Sequence, residues 1–128
     1  MVHIVHKELS YTLSGILFGV HNEVGRFASE KQICDAIEIR LKQHGLSYRR
    51  EFVLPSAHAG ERMGRHRVDF IIEDKIILEI KMRRQLRQED YDQVLRYLKV
   101  LNLALGILVN FRDERLHPRR VLNGAGKE

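Results

Sequence analysis

The stretch RVDFIIEDKIILEIK, residues 67–81, contains two runs of Val, Phe, Ile and Leu separated by EDK. Such runs are typical of strands in the middle of a sheet, and the polar residues between them predict a hairpin turn. Three charged residues interrupt the apolar pattern, namely Asp69, Glu79 and Lys81. Because a buried charge is costly unless it is paired or binds a metal, these residues are candidates for function.

The hydrophobic pattern also predicts the register of the hairpin. Side chains alternate faces along a strand, and directly opposed residues on neighbouring strands share a face. Six apolar residues are expected to face the core together: Val68, Phe70, Ile72, Ile76, Leu78 and Ile80. This predicts the pairs 72 with 76, 70 with 78 and 68 with 80, joined by a three-residue loop or a bulged turn. Asp69, Glu79 and Lys81 then fall together on the other face.

The three charged residues suit one kind of chemistry. Two carboxylates on adjacent strands offer hard oxygen ligands for a divalent ion such as Mg²⁺. Lys81 points the same way and can steady an attacking hydroxide or a phosphate oxygen, so the group suits hydrolysis of a phosphodiester. The alternative is that Glu79 and Lys81 lie on the solvated face of a hairpin and that Asp69 pairs with an arginine. Spacing alone does not separate the two interpretations.

Two helices and a strand are predicted before the hairpin. Residues 9–25 carry apolar side chains at three- and four-residue steps, and a second amphipathic helix runs from about Ser29 to His44. SYRREFVLP, residues 47–55, predicts a strand that Pro55 ends. The segment SAHAGERMG, residues 56–64, is expected to be a polar loop.

After the hairpin, helical spacing returns from Tyr91 to Leu101, with Glu89 and Asp90 favourable in the first turn. ALGILVNF, residues 104–111, predicts a buried strand parallel to a neighbour. Residues 118–123 suggest a short edge strand. The order ααβββαβ predicts an α/β (α+β) fold, a mixed sheet flanked by helices, in a single domain over residues 1–128 with a flexible tail at 123–128.

Composition limits the classes of partner and compartment. The chain has 22 Lys and Arg against 17 Asp and Glu, a net charge of +5, which is compatible with a polyanionic partner. The chain has few aromatic residues and no Trp, so its composition does not indicate base stacking along a single strand. No stretch reaches the length of a membrane span, and the N-terminus is too polar for a signal peptide. We therefore expect a cytoplasmic protein without a membrane partner.

The element order and the charged residues resemble the PD-(D/E)xK nuclease superfamily, which has a restriction-endonuclease-like core with Asp on the second strand and Glu-x-Lys on the third. The resemblance implies a nuclease dependent on Mg²⁺ or Mn²⁺. Asp69, Glu79 and the backbone carbonyl of Ile80 would hold the metal, and Lys81 would lie beside the nucleophile.

Other segments extend the resemblance. Gln93 and Tyr97 match the Gln-x-x-x-Tyr pattern of the RecB-like branch, where Gln93 would orient Lys81 or touch a phosphate. The most similar family is a small bacterial and archaeal group named for a Gly-x-x-Glu-x-x-Tyr signature. Glu30 matches the Glu of this signature, but the chain has Phe27 in place of the Gly and Ile33 in place of the Tyr. The resemblance implies that Glu30 joins the catalytic group, while a solvated helix charge is the alternative.

The sequence thus favours a metal-dependent nuclease acting on nucleic acid, with DNA as the expected substrate. Arg83, Arg84 and Arg87 follow Lys81 and are expected to bind backbone phosphates with Tyr97. A homodimer is suggested by the resemblance alone. The alternative is a non-catalytic module that binds nucleic acid or protein and retains the nuclease fold.

Overall fold

A computed structural model describes residues 2–55 and 66–128. In these residues it has three helices and one five-stranded mixed sheet, which confirms the predicted α+β fold. The predicted polar loop at 56–64 lies outside the described residues. In chain order the elements are α1 (Lys7–Val24), α2 (Glu30–Gln43), β1 (Tyr48–Val53), β2 (Arg67–Ile72), β3 (Ile76–Lys81), α3 (Gln88–Leu101), β4 (Leu105–Asn110) and β5 (Arg119–Leu122).

The strands lie side by side in the order β1-β2-β3-β4-β5. β3 and β4 are parallel, because α3 crosses over between them, and the other neighbouring pairs are antiparallel. All six residues of β4 are buried, as the sequence predicted for this strand. The predicted short edge strand is also present as β5.

The ends of α2 follow from local sequence. Ser29 Oγ accepts the Gln32 N–H at 3.1 Å, and Gln32 Oε1 accepts the Ser29 N–H at 2.9 Å. This reciprocal pair satisfies two backbone donors that the first helical turn leaves without partners. Gly45, just after the helix, has a φ of +68°, a conformation that glycine adopts without steric cost.

The register of the β2–β3 hairpin is confirmed from its turn as far as Phe70. The pairs are Ile72 with Ile76, Ile71 with Ile77, and Phe70 with Leu78, joined by the three residues 73–75. The predicted pair of Val68 with Ile80 is wrong. Val68 packs on the α3 face of the sheet, whereas Ile80 packs on the α1–α2 face, because the two strands separate beyond Phe70.

Two core clusters cover opposite faces of the sheet. On one face α1 and α2 pack through residues such as Leu17 and Ile37, and on the other α3 packs through Val94 and Leu98. Each fully buried Leu or Ile contributes about 1.5–3 kcal/mol. The face of the hairpin that carries Glu79 and Lys81 is therefore partly covered by α3.

Close packing of α3 on β4 depends on Gly106. A Cβ atom at this position would lie 2.5 Å from Val94 Cγ1, well inside van der Waals contact. Glycine inside a strand often marks such a close approach of another element. Gly106 therefore sets the distance between α3 and the sheet.

The chain beyond β5 differs from the expected flexible tail. Lys127 N–H donates to Asn102 O at 2.9 Å, and Lys127 O accepts the Ala104 N–H at 3.2 Å. Leu103 and Lys127 also form an isolated parallel bridge. The last residues are thus hydrogen-bonded to the connection between α3 and β4, a long-range contact that composition does not reveal.

None of the helices in the described part of the chain has the length and apolar character needed to cross a membrane.

Candidate active site

The sheet opens where β2 and β3 separate, and two acidic side chains occupy the opening. Asp69 Oδ2 accepts the Ile80 N–H at 2.8 Å, and Glu79 Oε1 accepts the Asp69 N–H at 3.1 Å. The carboxylates therefore bind backbone groups at a point where ladder pairing between the strands has stopped. We call this opening the fork, and both carboxylates are fixed in it.

The predicted convergence of Asp69, Glu79 and Lys81 is present in the structure. All three line an open pocket of about 580 Å³ at the fork. Glu79 is only 3% exposed, which is incompatible with a charge on a solvated hairpin face. Within residues 2–55 and 66–128, Asp69 forms no ion pair with an arginine. The alternative interpretation of these residues therefore does not hold in the described part of the chain.

Burial and mutual repulsion raise the pKa values of the acidic groups in the pocket. Burial raises the pKa of Glu79 to about 9, and the charge of Asp69 adds to this effect. Burial also raises the pKa of Asp69, while the hydrogen bond from the Ile80 N–H acts in the opposite direction. Several acidic groups with raised pKa values in one pocket indicate a site where a cation would be stabilised.

Lys81 is oriented by the helix above the sheet. Its Nζ donates to Gln93 Oε1 at 2.8 Å. This contact agrees with the prediction that Gln93 orients Lys81. Tyr97 lines the same pocket one helical turn further on, but it is 3% exposed and packs in the α3 core cluster. Burial and the charge of Glu79 raise the pKa of Tyr97 to about 12. Its predicted contact with nucleic acid stays a prediction.

Glu30 reaches the site from the opposite layer. It lies in the first turn of α2 and lines the pocket beside Asp69 and Glu79. Burial and the charge of Asp69 raise the pKa of Glu30. Glu30 and Asp69 also line an adjoining pocket of about 640 Å³ on the α2 side. The pocket at the fork is therefore lined by residues of α2 on one side of the sheet and of α3 on the other.

The oxygen atoms at the fork fit a hard divalent cation such as Mg²⁺. Asp69 and Glu79 supply carboxylates, and Ile80 lines the pocket while its side chain packs in the core, so its backbone faces the pocket. In the described ranges, no three His, Cys, Asp or Glu side chains form a metal-binding cluster. The set thus suits an ion that retains water or phosphate oxygens in its other positions.

Arg83 is held at the pocket by two buried side chains. Asn110 is 1% exposed, donates Nδ2–H to Arg83 O at 2.7 Å and accepts the Arg83 N–H at 2.9 Å. Asp90 is 3% exposed, and its Oδ1 lies 3.2 Å from Arg83 Nε while its Oδ2 accepts the Arg87 N–H at 2.8 Å. Arg84 and Arg87 are exposed and lie outside the pocket lining that the described residues form.

Three polar residues of this region were not predicted to belong to the site. Arg67 lines the pocket, and alternation places it on the side of Asp69, two residues later, so the sequence contained this signal. Asn110 is a polar residue at the end of an otherwise apolar strand, and this pattern could also have indicated a site residue. The structure pairs it with Lys81. Asp90 was predicted only as a favourable helix-start charge, because its contact with Arg83 depends on the path of the β3–α3 connection.

A family model described as the PD-(D/E)XK nuclease superfamily matches residues 7–121 of the 128-residue chain. The match covers every helix and strand from α1 onward, up to the third residue of β5. The chain belongs to the PD-(D/E)XK nuclease superfamily. Searches of curated proteins and of solved structures gave no match to the chain.

Proposed function

We propose that this protein is a divalent-metal-dependent nuclease that hydrolyses phosphodiester bonds of nucleic acid, with DNA as substrate. The observation that carries the proposal is the convergence of Asp69, Glu79 and Lys81 on one pocket at the fork. Membership of a nuclease superfamily supports the same activity.

The metal would be held by Asp69, Glu79 and the backbone carbonyl of Ile80. An Mg²⁺ or Mn²⁺ ion bound there supplies charge stabilisation for the reacting phosphate and acidifies water. The two raised pKa values favour this assignment, since the pair of carboxylates is stabilised as anions only when positive charge lies nearby.

The remaining residues would position the reactants. The Lys81 ammonium, held by Gln93, directs a positive charge into the pocket, where it can orient the attacking water or bind a phosphate oxygen. Arg83 would bind a backbone phosphate at the pocket mouth, in an orientation fixed by Asp90. Glu30 would act at the α2 side of the same pocket, through water or directly on the cation.

The proposal is tested by cleavage of plasmid, single-stranded and branched DNA in the presence of Mg²⁺ or Mn²⁺. Wild-type protein is expected to cleave at least one substrate, and Asp69→Asn and Lys81→Ala are expected to lose this activity. Asp92→Asn and Lys99→Ala are matched controls, because both residues are exposed on α3. Salt-sensitive binding without products at any metal concentration would favour the non-catalytic module instead.

Finer assignments belong to the same proposal. Membership of the Gly-x-x-Glu-x-x-Tyr group and a homodimeric state rest on the resemblance of the sequence, and a cytoplasmic location rests on the composition of the chain. Light scattering of the purified protein decides between monomer and dimer. RNA substrates in the cleavage panel decide whether DNA is preferred.

A further inference from the structure

An exposed aromatic ring in the connection between α1 and α2 contacts two arginines. Phe27 is 72% exposed. The guanidinium carbon of Arg26 lies 4.7 Å from the centre of its ring, and that of Arg112 lies 5.5 Å away. A single exposed apolar side chain needs no explanation, but here the ring is part of a positively charged surface.

This surface lies at the same end of the sheet as the fork. Phe27 precedes Glu30 by three residues, so at most about 11 Å of chain separates it from a residue of the pocket. Arg112 lies two residues after Asn110. Asn110 is the last residue of β4 and pairs with Lys81 of β3. The backbone of Phe27 therefore lies within about 11 Å of the backbone of Glu30, which lines the proposed catalytic pocket.

One buried amide links the two regions. Asn110 Oδ1 accepts the Arg112 N–H at 3.3 Å and the Arg83 N–H at 2.9 Å. The segment that carries Arg112 to the Phe27 ring is thus fixed to the segment that carries Arg83 to the pocket. The backbones of Arg83 and Arg112 are therefore held by the same amide oxygen.

We propose that Phe27, Arg26 and Arg112 form a binding site for an unpaired nucleotide of single-stranded nucleic acid. The base stacks on the Phe27 ring in place of one guanidinium group, and this stacking is sequence-tolerant because every base has a π face. The guanidinium groups bind the neighbouring phosphates through charge-assisted hydrogen bonds. This inference rests on the proposed function and deepens it, since it assigns a single-stranded segment to the substrate.

The charge on this surface favours nucleic acid over an apolar protein partner. An apolar protein surface placed on the ring would remove water from both guanidinium groups without a counter-charge, which is unfavourable. A nucleotide provides an aromatic face for the ring and an anion for the arginines. The low aromatic content of the chain does not oppose the site, because one ring is sufficient for one base.

The site is tested by placing the only tryptophan of the protein in it, since the natural sequence has none. A Phe27→Trp protein in EDTA is titrated with an oligo-dT strand of about 12 nucleotides, within the usual range of single-strand site sizes. Tyr11→Trp is the matched control. Tyr11 is 81% exposed on α1, about 20 Å along the helix axis from Val24. Quenching of the first protein and not of the second is expected.

Anisotropy of a labelled strand gives the affinity. Phe27→Ala should bind about 5- to 50-fold more weakly than wild type, and Phe27→Tyr should bind like wild type. Equal affinity of Phe27→Ala and wild type would overturn the site, as would an unchanged tryptophan signal of the Phe27→Trp protein while the strand binds. So would failure of wild type to bind the strand. Metal-dependent cleavage is measured separately. Cleavage by wild type with any of these results leaves the proposed function standing, whereas absence of cleavage refutes the proposed function and leaves the binding results to decide the site.

Discussion

The backbone N–H of Asp69 donates to the carboxylate of Glu79 at 3.1 Å, across the point where β2 and β3 separate. Asp69 in turn accepts the next N–H of β3, from Ile80, at 2.8 Å. Two acidic groups, of which Glu79 is buried and Asp69 half-buried, are therefore held close together by backbone groups of the sheet itself. Without a cation this arrangement has an electrostatic cost that depends on pH.

The stability of the metal-free protein should fall as pH rises, because of Glu79. Its pKa in the folded protein is about 9, above its ordinary value of 4.5. Its favourable contribution to folding is therefore complete below about pH 4.5 and is lost as pH rises through about 9. Glu79→Gln keeps an oxygen for the Asp69 N–H and carries no charge, so its Tm should exceed that of wild type increasingly between pH 5 and pH 9.

Calorimetry in EDTA at several pH values measures this difference. A free energy of 1 kcal/mol corresponds to roughly 4 °C for a chain of this size. Glu89→Gln, on the exposed side of the first turn of α3, is the control and should follow the wild-type curve. A difference between Glu79→Gln and wild type that does not change with pH would contradict the prediction.

Removal of Gln93 should slow cleavage without weakening substrate binding. Gln93→Ala leaves Lys81 Nζ without its 2.8 Å partner, so the ammonium loses its orientation. We expect kcat to fall about 10- to 100-fold with KM little changed. Gln93→Glu keeps an acceptor and should retain much more activity, and Gln88→Ala, exposed on the same helix, is the control. A change confined to KM would show that Gln93 binds substrate instead.

The Asp90→Asn variant tests whether Asp90 acts by positioning Arg83 or only through its negative charge. The substitution removes a negative charge near the pocket, so charge alone predicts tighter binding of nucleic acid and unchanged or faster cleavage. If Asp90 orients Arg83, cleavage should become slower although the protein is more positive. Asp92→Asn adds the same charge on an exposed part of α3 and is the control. Faster cleavage by both variants would show that the Asp90–Arg83 contact is not functional.

Gly106→Ala should destabilise the fold. The added Cβ would meet Val94 Cγ1 at 2.5 Å, and overpacking of this kind costs about 1–3 kcal/mol. Thermal unfolding should show a Tm lower by roughly 4–12 °C, part of which a second substitution, Val94→Ala, restores. Gly124→Ala should be neutral, because no atom of the described residues other than its chain neighbours lies within 4 Å of the added Cβ. Equal Tm values for the two glycine variants would contradict the packing account.

Local patterns were sufficient to predict the hairpin and its charged residues. The register follows from alternation and from the need to bury Phe70, Ile72 and Leu78, which are features of the two strands alone. The parallel strand β4 was predicted because a helix followed by an entirely apolar segment has few other arrangements. Each of these features depends on residues close together in the chain, so a single sequence is sufficient to predict it.

Contacts between distant segments could not be predicted in the same way. The fork depends on carboxylates that bind the backbone of the opposite strand, so the pair of Val68 with Ile80 was wrong. The hydrogen bond of Lys127 to Asn102 joins segments that are 25 residues apart in the chain. The contact of Phe27 with Arg112 depends on the proximity of the α1–α2 connection to the end of β4.

The central claim is that Asp69 and Glu79 together hold a divalent cation at the fork, and calorimetric titration with Mn²⁺ tests it most directly. Wild type and Glu89→Gln should bind Mn²⁺ with the same affinity, while Asp69→Asn and Glu79→Gln should each lose most of this binding. Correct folding of all four proteins is checked by circular dichroism. Mn²⁺ binding by the two fork variants at wild-type affinity would contradict the account.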